Sequence, residues 1–245
     1  MLAGVRSFLC NVGVLGSMLV AIAAAGSAEA ADKTACPVSW SKLKQKLVQA
    51  ANADSTGLNN EFWAVVVNRE GTVCAVAFSG AGVDSQWLLS RQIAAAKAFT
   101  ANGLSLDGEP ISTGALYSLV LPIVPPDDPS PNPLHGLHGG NVLDAAAAYE
   151  GPYRRFGTPR DPMVGERVGG TITFGGGFGL YQGTNAVGGL GLSGDTACAD
   201  HSTAWRLREL LGLAPTADGL GLDRITLAPN AHPACPNSGG TQGTT

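Results

Sequence analysis

Val168-Gly-Gly-Thr-Ile-Thr-Phe-Gly-Gly-Gly-Phe-Gly-Leu-Tyr181, followed by Val187-Gly-Gly-Leu-Gly-Leu-Ser-Gly-Asp-Thr-Ala-Cys-Ala-Asp-His201, is the stretch that decides the fold. A β-rich run passes through clustered glycines, turns, crosses a second glycine-studded strand and opens into a helix. Glycine weakens a strand and marks a bulge, or a place where a ligand or another backbone comes close. The stretch therefore reads as a ligand-facing wall, with Ser193, Asp195, Thr196, Asp200 and His201 gathered at its polar end. That pattern points to binding more than to catalysis.

Outward from this wall the remaining elements follow. Phe62-Trp-Ala-Val-Val-Val-Asn68, the turn Arg69-Glu70-Gly71 and Thr72-Val-Cys-Ala-Val-Ala-Phe78 form a hairpin. Val38 to Ala53 puts Trp40, Leu43, Leu47 and Val48 on one helical face, with Ser39 as N-cap. Ser85 to Asn102 is an alanine-rich helix ended by Gly103, and a shorter helix covers Thr113 to Val120. Residues 122–140 carry six prolines and several glycines and make no regular structure. Asn141 to Tyr149 is a further short helix, Gly151 to Arg167 is irregular, and a last helix runs from about Ser202 to Leu211.

The N-terminus has the form of a secretory signal peptide. Arg6 precedes the nearly uncharged apolar stretch Phe8 to Ala25, and Ala28-Glu29-Ala30 offers a small-residue cleavage site. Asn11, Gly13, Gly16 and Ser17 interrupt the run, which disfavours a retained anchor. Cys10 lacks the small-residue box of a lipoprotein signal. The expectation is a secreted or periplasmic protein cleaved near Ala30. Residues 31–213 then make one domain with a long insertion at about 104–166, and 214–245 an irregular tail. No later segment approaches the roughly 18 apolar residues of a membrane span. The formal charge is −4, and it is unchanged by cleavage because Arg6 and Glu29 leave together. This mild acidity argues against nucleic acid or anionic lipid as partner.

Four cysteines follow the cleavage site: Cys36, Cys74, Cys198 and Cys235. An even number in an oxidising compartment implies disulfides, with three possible connectivities. Cys36 with Cys235 would tie down both tails, and Cys74 with Cys198 would follow. No C-x-x-C spacing favours a metal site instead.

A helix, the hairpin with Val-Val-Val-Asn-Arg-Glu-Gly-Thr-Val, the helix Ser90-Arg-Gln-Ile-Ala-Ala-Ala-Lys-Ala-Phe-Thr-Ala101, then Phe174-Gly-Gly-Gly and Val187-Gly-Gly-Leu-Gly-Leu-Ser-Gly194 occur in that order. In order and spacing they resemble the GlcG/HbpS-like haem-binding family, from about Leu43 to Leu211. The resemblance implies an α+β, profilin-like fold, a five-stranded antiparallel sheet flanked by helices, often assembled into homo-oligomers. It also implies haem as a possible cofactor. If haem binds as in haem-binding relatives, Thr100 is the iron-side candidate and Lys97 the propionate partner.

The expected small-molecule site lies between the Lys97–Thr100 helix and the wall of Gly175, Gly176, Gly177 and Tyr181, with Ser193, Asp195 and His201 at its edge. His201, placed at a helix start, is also a candidate metal ligand, its imidazole kept neutral by the helix N-terminus. His135 and His138 in the proline-rich loop, and His232 near Cys235, are the other candidate metal ligands. Gly189-Leu-Gly-Leu-Ser-Gly194 formally fits a dinucleotide fingerprint, but its glycines lie inside a strand and the neighbours are hairpins. Ser193 lacks the spacing of a nucleophile elbow. Two alternatives stand beside ligand binding: a metal- or His-dependent enzyme, hydrolytic or haem-degrading, and a non-catalytic oligomeric accessory subunit.

Overall fold

In the glycine-rich hairpin every other residue is large and apolar, and the two halves of that alternation serve opposite faces. The computed structural model describes residues 32–225, except 56, 83, 84, 88, 121–133 and 138–142. Strands β3 (Gly177–Gln182) and β4 (Asn185–Ser193) pair antiparallel, so that Gly177 faces Gly191, Phe178 faces Leu190 and Gly179 faces Gly189. β1 (Trp63–Asn68) joins β4 on its other side and β2 (Val73–Phe78) on the outside, giving the order β2-β1-β4-β3.

Side chains alternate across a sheet with period 2. On one face Ala64, Val66, Ala75, Phe178, Leu180, Leu190 and Leu192 meet Leu43 and Leu47 of α1 (Trp40–Asn52). The same layer takes in Ala199, Ala204, Leu207 and Leu211 of the C-terminal helix. On the other face Trp63, Val65, Val67, Val76 and Phe78 meet Ala94, Ala95 and Ala98 of α2 (Ser90–Leu104). The insertion adds Ala147, Ala148 and Met163 to that second core, and Val168 just after it joins them. A 3-10 turn at Thr113–Leu116 runs into α3 (Tyr117–Val120); α4 (Ala145–Tyr149) and the 3-10 turn Tyr153–Arg155 follow, and α5 (Ala197–Leu211) closes the fold.

The architecture is α+β, as expected, but the described residues form four strands and not five. Ser112 sits where a fifth strand would flank β3, and makes only a single bridge to Phe178 before the chain turns into a 3-10 helix. Pro110, two residues earlier, has no N–H to give a ladder, and Ile111 bridges Leu222 instead. Two helix boundaries also differ. α2 runs through Gly103, where a Cβ would meet nothing within 4 Å, and stops only at Ser105. α5 starts at Ala197 because the Thr196 hydroxyl accepts the Ala199 amide at 3.2 Å.

The cysteine pairing is corrected as well. Cys36 is bonded to Cys74, with Cα atoms 5.5 Å apart. The cause is the path of the segment before α1, which lies across the β1–β2 turn. There the Arg69 amide donates to Lys33 O at 3.2 Å and Asn68 Nδ2 to Thr34 O at 2.8 Å. Cys198 is disulfide-bonded too, so Cys74 is not its partner; Cys235 lies outside the described residues. Over residues 214–225 the chain is irregular but anchored. Arg208 donates twice to Asp223, at 2.7 Å each, and Leu222 O accepts from Ser112 N at 3.1 Å.

Candidate functional site

The close approach signalled by the glycines is made by a helix. A Cβ at Gly191 would overlap the Ala94 carbonyl, and one at Gly189 the Ala98 carbonyl and, at 3.0 Å, the Asn102 amide. At Gly177 it would lie 2.7 Å from Lys97 O, and at Gly179 2.7 Å from Ser105 Oγ. Ala94, Ala98 and Asn102 are four residues apart, the spacing of one helix face. The paired glycines therefore make a flat bed on which the backbone of α2 lies.

This packing reassigns the residues expected around a ligand. Lys97 is fully buried; its Nζ donates to Asp200 Oδ2 at 2.6 Å and to Leu192 O at 2.9 Å. It faces neither solvent nor a cleft. Burial lowers the Lys97 pKa and pushes the Asp200 carboxyl up to about 6, in each case against the pull of the partner's charge. Thr100 Oγ1 donates to Ala96 O at 2.7 Å and accepts from Ile172 N at 3.0 Å. It borders a small cavity of about 220 Å³ with Phe99, Gly103, Leu104, Leu137 and Thr171.

Gly175, Gly176, Gly177, Ser193 and Tyr181 are buried in the same packing. Tyr181 donates to Leu106 O at 2.7 Å, and burial raises its pKa to about 12. The Asp195 carboxylate accepts from Leu58 N and Asn60 N at 2.9 Å, fixing the loop before β1. His201 is not at a helix start but in the fifth position of α5, fully buried. Its ring lies tilted against Phe178, with centroids 4.7 Å apart, and Nε2 lies 2.8 Å from Arg224 O. His135 is exposed, with Nδ1 3.3 Å from Val120 O; His138 and His232 lie outside the described residues. Among the described residues no group of three His, Cys, Asp or Glu could hold a metal ion, and no helix is long and apolar enough to cross a membrane.

The large cavity lies elsewhere. A cleft of about 830 Å³ opens between α1, the ends of β1 and β2, the start of α2 and the insertion. Lys44, Trp63, Phe78, Arg91, Gln92, Tyr149, Tyr153, Arg154 and Phe156 line it. Trp63 stacks on Phe78, with centroids 4.5 Å apart. Its insertion wall is braced from α2. Arg91 pairs with the buried Asp161 through two nitrogens, donates to Ala148 O at 2.7 Å and lies 3.7 Å above the Phe156 ring. Asp161 in turn accepts from Gly157 N at 2.7 Å and Met163 N at 2.9 Å. Lys44 Nζ donates to the carbonyls of Phe78 and Ser79. An aromatic floor with the exposed Arg154 at its rim suits a flat, apolar, anionic molecule.

The family model described as haem degrading protein HbpS-like matches residues 41–207. The chain belongs to the HbpS-like family. Among solved structures, the PduOC:heme complex is 21% identical, with 73% of this chain and 94% of that one covered at a TM-score of 0.46. Protein ORFY of Klebsiella pneumoniae is 20% identical over 71% and 90%, at 0.45. A double mutant of Streptomyces reticuli HbpS is 18% identical over 80% and 99%, at 0.43. No curated protein matches the chain. The cleft of this HbpS-like chain is not legible in the sequence because its residues come from α1, β1, β2, α2 and the insertion. One signal was legible: Tyr149-Glu-Gly-Pro-Tyr-Arg-Arg-Phe156 packs aromatics and arginines into eight residues of the insertion.

Proposed function

We propose that this is an exported haem-binding protein, and that haem or a similar planar anionic molecule sits in the cleft between Trp63, Phe78 and the Tyr149–Phe156 wall. Haem binding itself is supported by family membership. The observation that carries the location is the lining: stacked aromatics below, the exposed Arg154 at the rim with Lys44 and Arg91 held in the walls by their own partners, and a volume of about 830 Å³, in the range of ligand pockets. The residues fit the group. The indole N–H of Trp63 is buried and meets no acceptor among the described residues; a buried donor left so costs about 1–3 kcal/mol. When bound, haem would supply a redox-active iron. The chain's own part is to stack the ring, pair the carboxylates with cations and exclude water. Export is supported by the N-terminal pattern and by the Cys36–Cys74 disulfide, which suits an oxidising compartment. Assembly into a homo-oligomer is the remaining part of the family reading.

The test is a haemin titration of the protein without residues 1–30, followed at the Soret band. The expected result is saturation at one haem per chain, quenching of tryptophan fluorescence, and a roughly two- to fivefold loss of affinity in Arg154→Ala. Arg154 is exposed and has no ion-pair partner among the described residues, so its removal spares the fold. Weakening by Thr100→Ala but not by Arg154→Ala would return the site to α2. No saturation at micromolar haemin would end the haem reading.

A further inference from the structure

We infer that the iron-side group of this cleft is the phenol of Tyr149, held in place by Gln92; the inference rests on the haem reading above. Haem iron is held in proteins by imidazole, thiolate, thioether or phenolate. The lining contains no His, Cys or Met. His201 is sealed in the core of α5 and His135 hangs from Val120, and neither lines the cleft. Lys44 commits its ammonium to two backbone carbonyls. The two phenols of the lining, Tyr149 and Tyr153, are therefore the groups able to reach an iron.

The two phenols are not equivalent. Tyr153 is 69% exposed, in a three-residue 3-10 turn. Tyr149 ends α4, whose N-cap Asp144 accepts the Ala147 amide at 3.1 Å and whose Ala147 and Ala148 are buried in the core. Gln92 Nε2, itself nearly buried on α2, donates to Tyr149 Oη at 2.6 Å. A phenol oxygen that accepts such a bond is fixed in position. The outer partner of a metal ligand has this same role of orienting it, and a donor on the ligating oxygen also draws charge from it and so tunes the bond to the metal. Gln92 is thus a positioning residue, and it sits one residue from Arg91, which braces the opposite side of the wall through Asp161.

The experiment is resonance Raman and visible spectroscopy of the ferric haemin complex in wild type, Tyr149→Phe, Tyr153→Phe and Gln92→Met. Phenylalanine keeps the ring of a half-exposed side chain, so folding is expected to survive; the far-ultraviolet dichroism and Tm of each variant check this. The expected wild-type complex shows iron–phenolate vibrations and a phenolate-to-iron charge-transfer band. Tyr149→Phe abolishes both and binds roughly tenfold or more weakly. Gln92→Met keeps the bands but shifts the vibration, and Tyr153→Phe leaves all of it unchanged. Two outcomes overturn the assignment while leaving haem binding intact: a saturable wild-type complex without phenolate bands, or bands that survive Tyr149→Phe. Failure of wild type to bind haemin sinks the assignment together with the haem reading.

Discussion

Asp200→Ala is expected to lower the stability of the folded protein by about 3–5 kcal/mol, the cost of leaving one charge of a buried pair alone. Lys97 and Asp200 are both within 2% of complete burial, and among the described residues Lys97 Nζ has one further acceptor, the Leu192 carbonyl. The pair also links three elements. Asp200 Oδ1 accepts the Asp195 amide at 3.1 Å, so the end of β4, the start of α5 and the middle of α2 share one network. The double variant Lys97→Met, Asp200→Leu removes both charges and should recover much of the loss, because well-packed apolar replacements of buried pairs are near neutral. Urea unfolding at pH 7 measures all three. A single-variant loss below about 1 kcal/mol would show that water reaches the pair.

The same pair gives a pH dependence whose sign is fixed. Burial raises the Asp200 carboxyl from an ordinary 3.8 to about 6 in the folded chain. Between those values the folded protein holds a proton that the unfolded chain has released. Stability from this group is therefore full below about 3.8 and is lost as pH rises to about 6. Asp200→Asn removes the group that titrates. Unfolding free energies of wild type and Asp200→Asn, measured from pH 4 to 7, should diverge, with wild type losing ground as the pH rises. Parallel curves would refute the raised value.

The β1–β2 hairpin, α1 with its Ser39 cap, and the Gly-rich hairpin were legible because each is a local pattern: alternation, a capping hydroxyl, a turn glycine. The error at the wall was one of partner. A strand glycine announces a close approach, but a single sequence does not say what approaches. Here the Ala94–Ala98 stripe of α2 was the missing half, visible in Ile-Ala-Ala-Ala-Lys-Ala yet not linked to the strand glycines by any local signal. His201 was misplaced for a related reason. Thr196 caps α5 and starts it at Ala197 rather than about Ser202, which moves the imidazole a turn inward onto Phe178. The cleft was hardest to read, because Trp63, Arg91 and Tyr149 stand on separate elements, and the bonds that hold the insertion against α2, Arg91 with Asp161 and Gln92 with Tyr149, join residues 70 and 57 positions apart.

Gly191→Ala is the variant that tests the bed of glycines directly, and its expected cost is about 3 kcal/mol or more. The new methyl would overlap the Ala94 carbonyl oxygen and lie 3.0 Å from its carbon, both backbone atoms of a helix that cannot rotate out of the way. Overpacking a tight core typically costs 1–3 kcal/mol, and here the displaced object is a whole helix. Its backbone also carries Lys97 on one side and Arg91 on the other, so relief by shifting α2 would strain the buried pair and the cleft wall. For a domain of this size about 3 kcal/mol is a fall in Tm of roughly 6–12 °C. Gly103→Ala is the internal control. That glycine lies inside the same helix with nothing near the position of a Cβ, so alanine should stabilise by about 0.5–1 kcal/mol. The two substitutions add the same methyl to two glycines, one under the helix and one on it. Opposite signs in calorimetry are expected if the glycines exist to seat α2. Equal, small effects at both positions would mean that the space under the helix is open, and would return the wall to its first reading as a ligand surface.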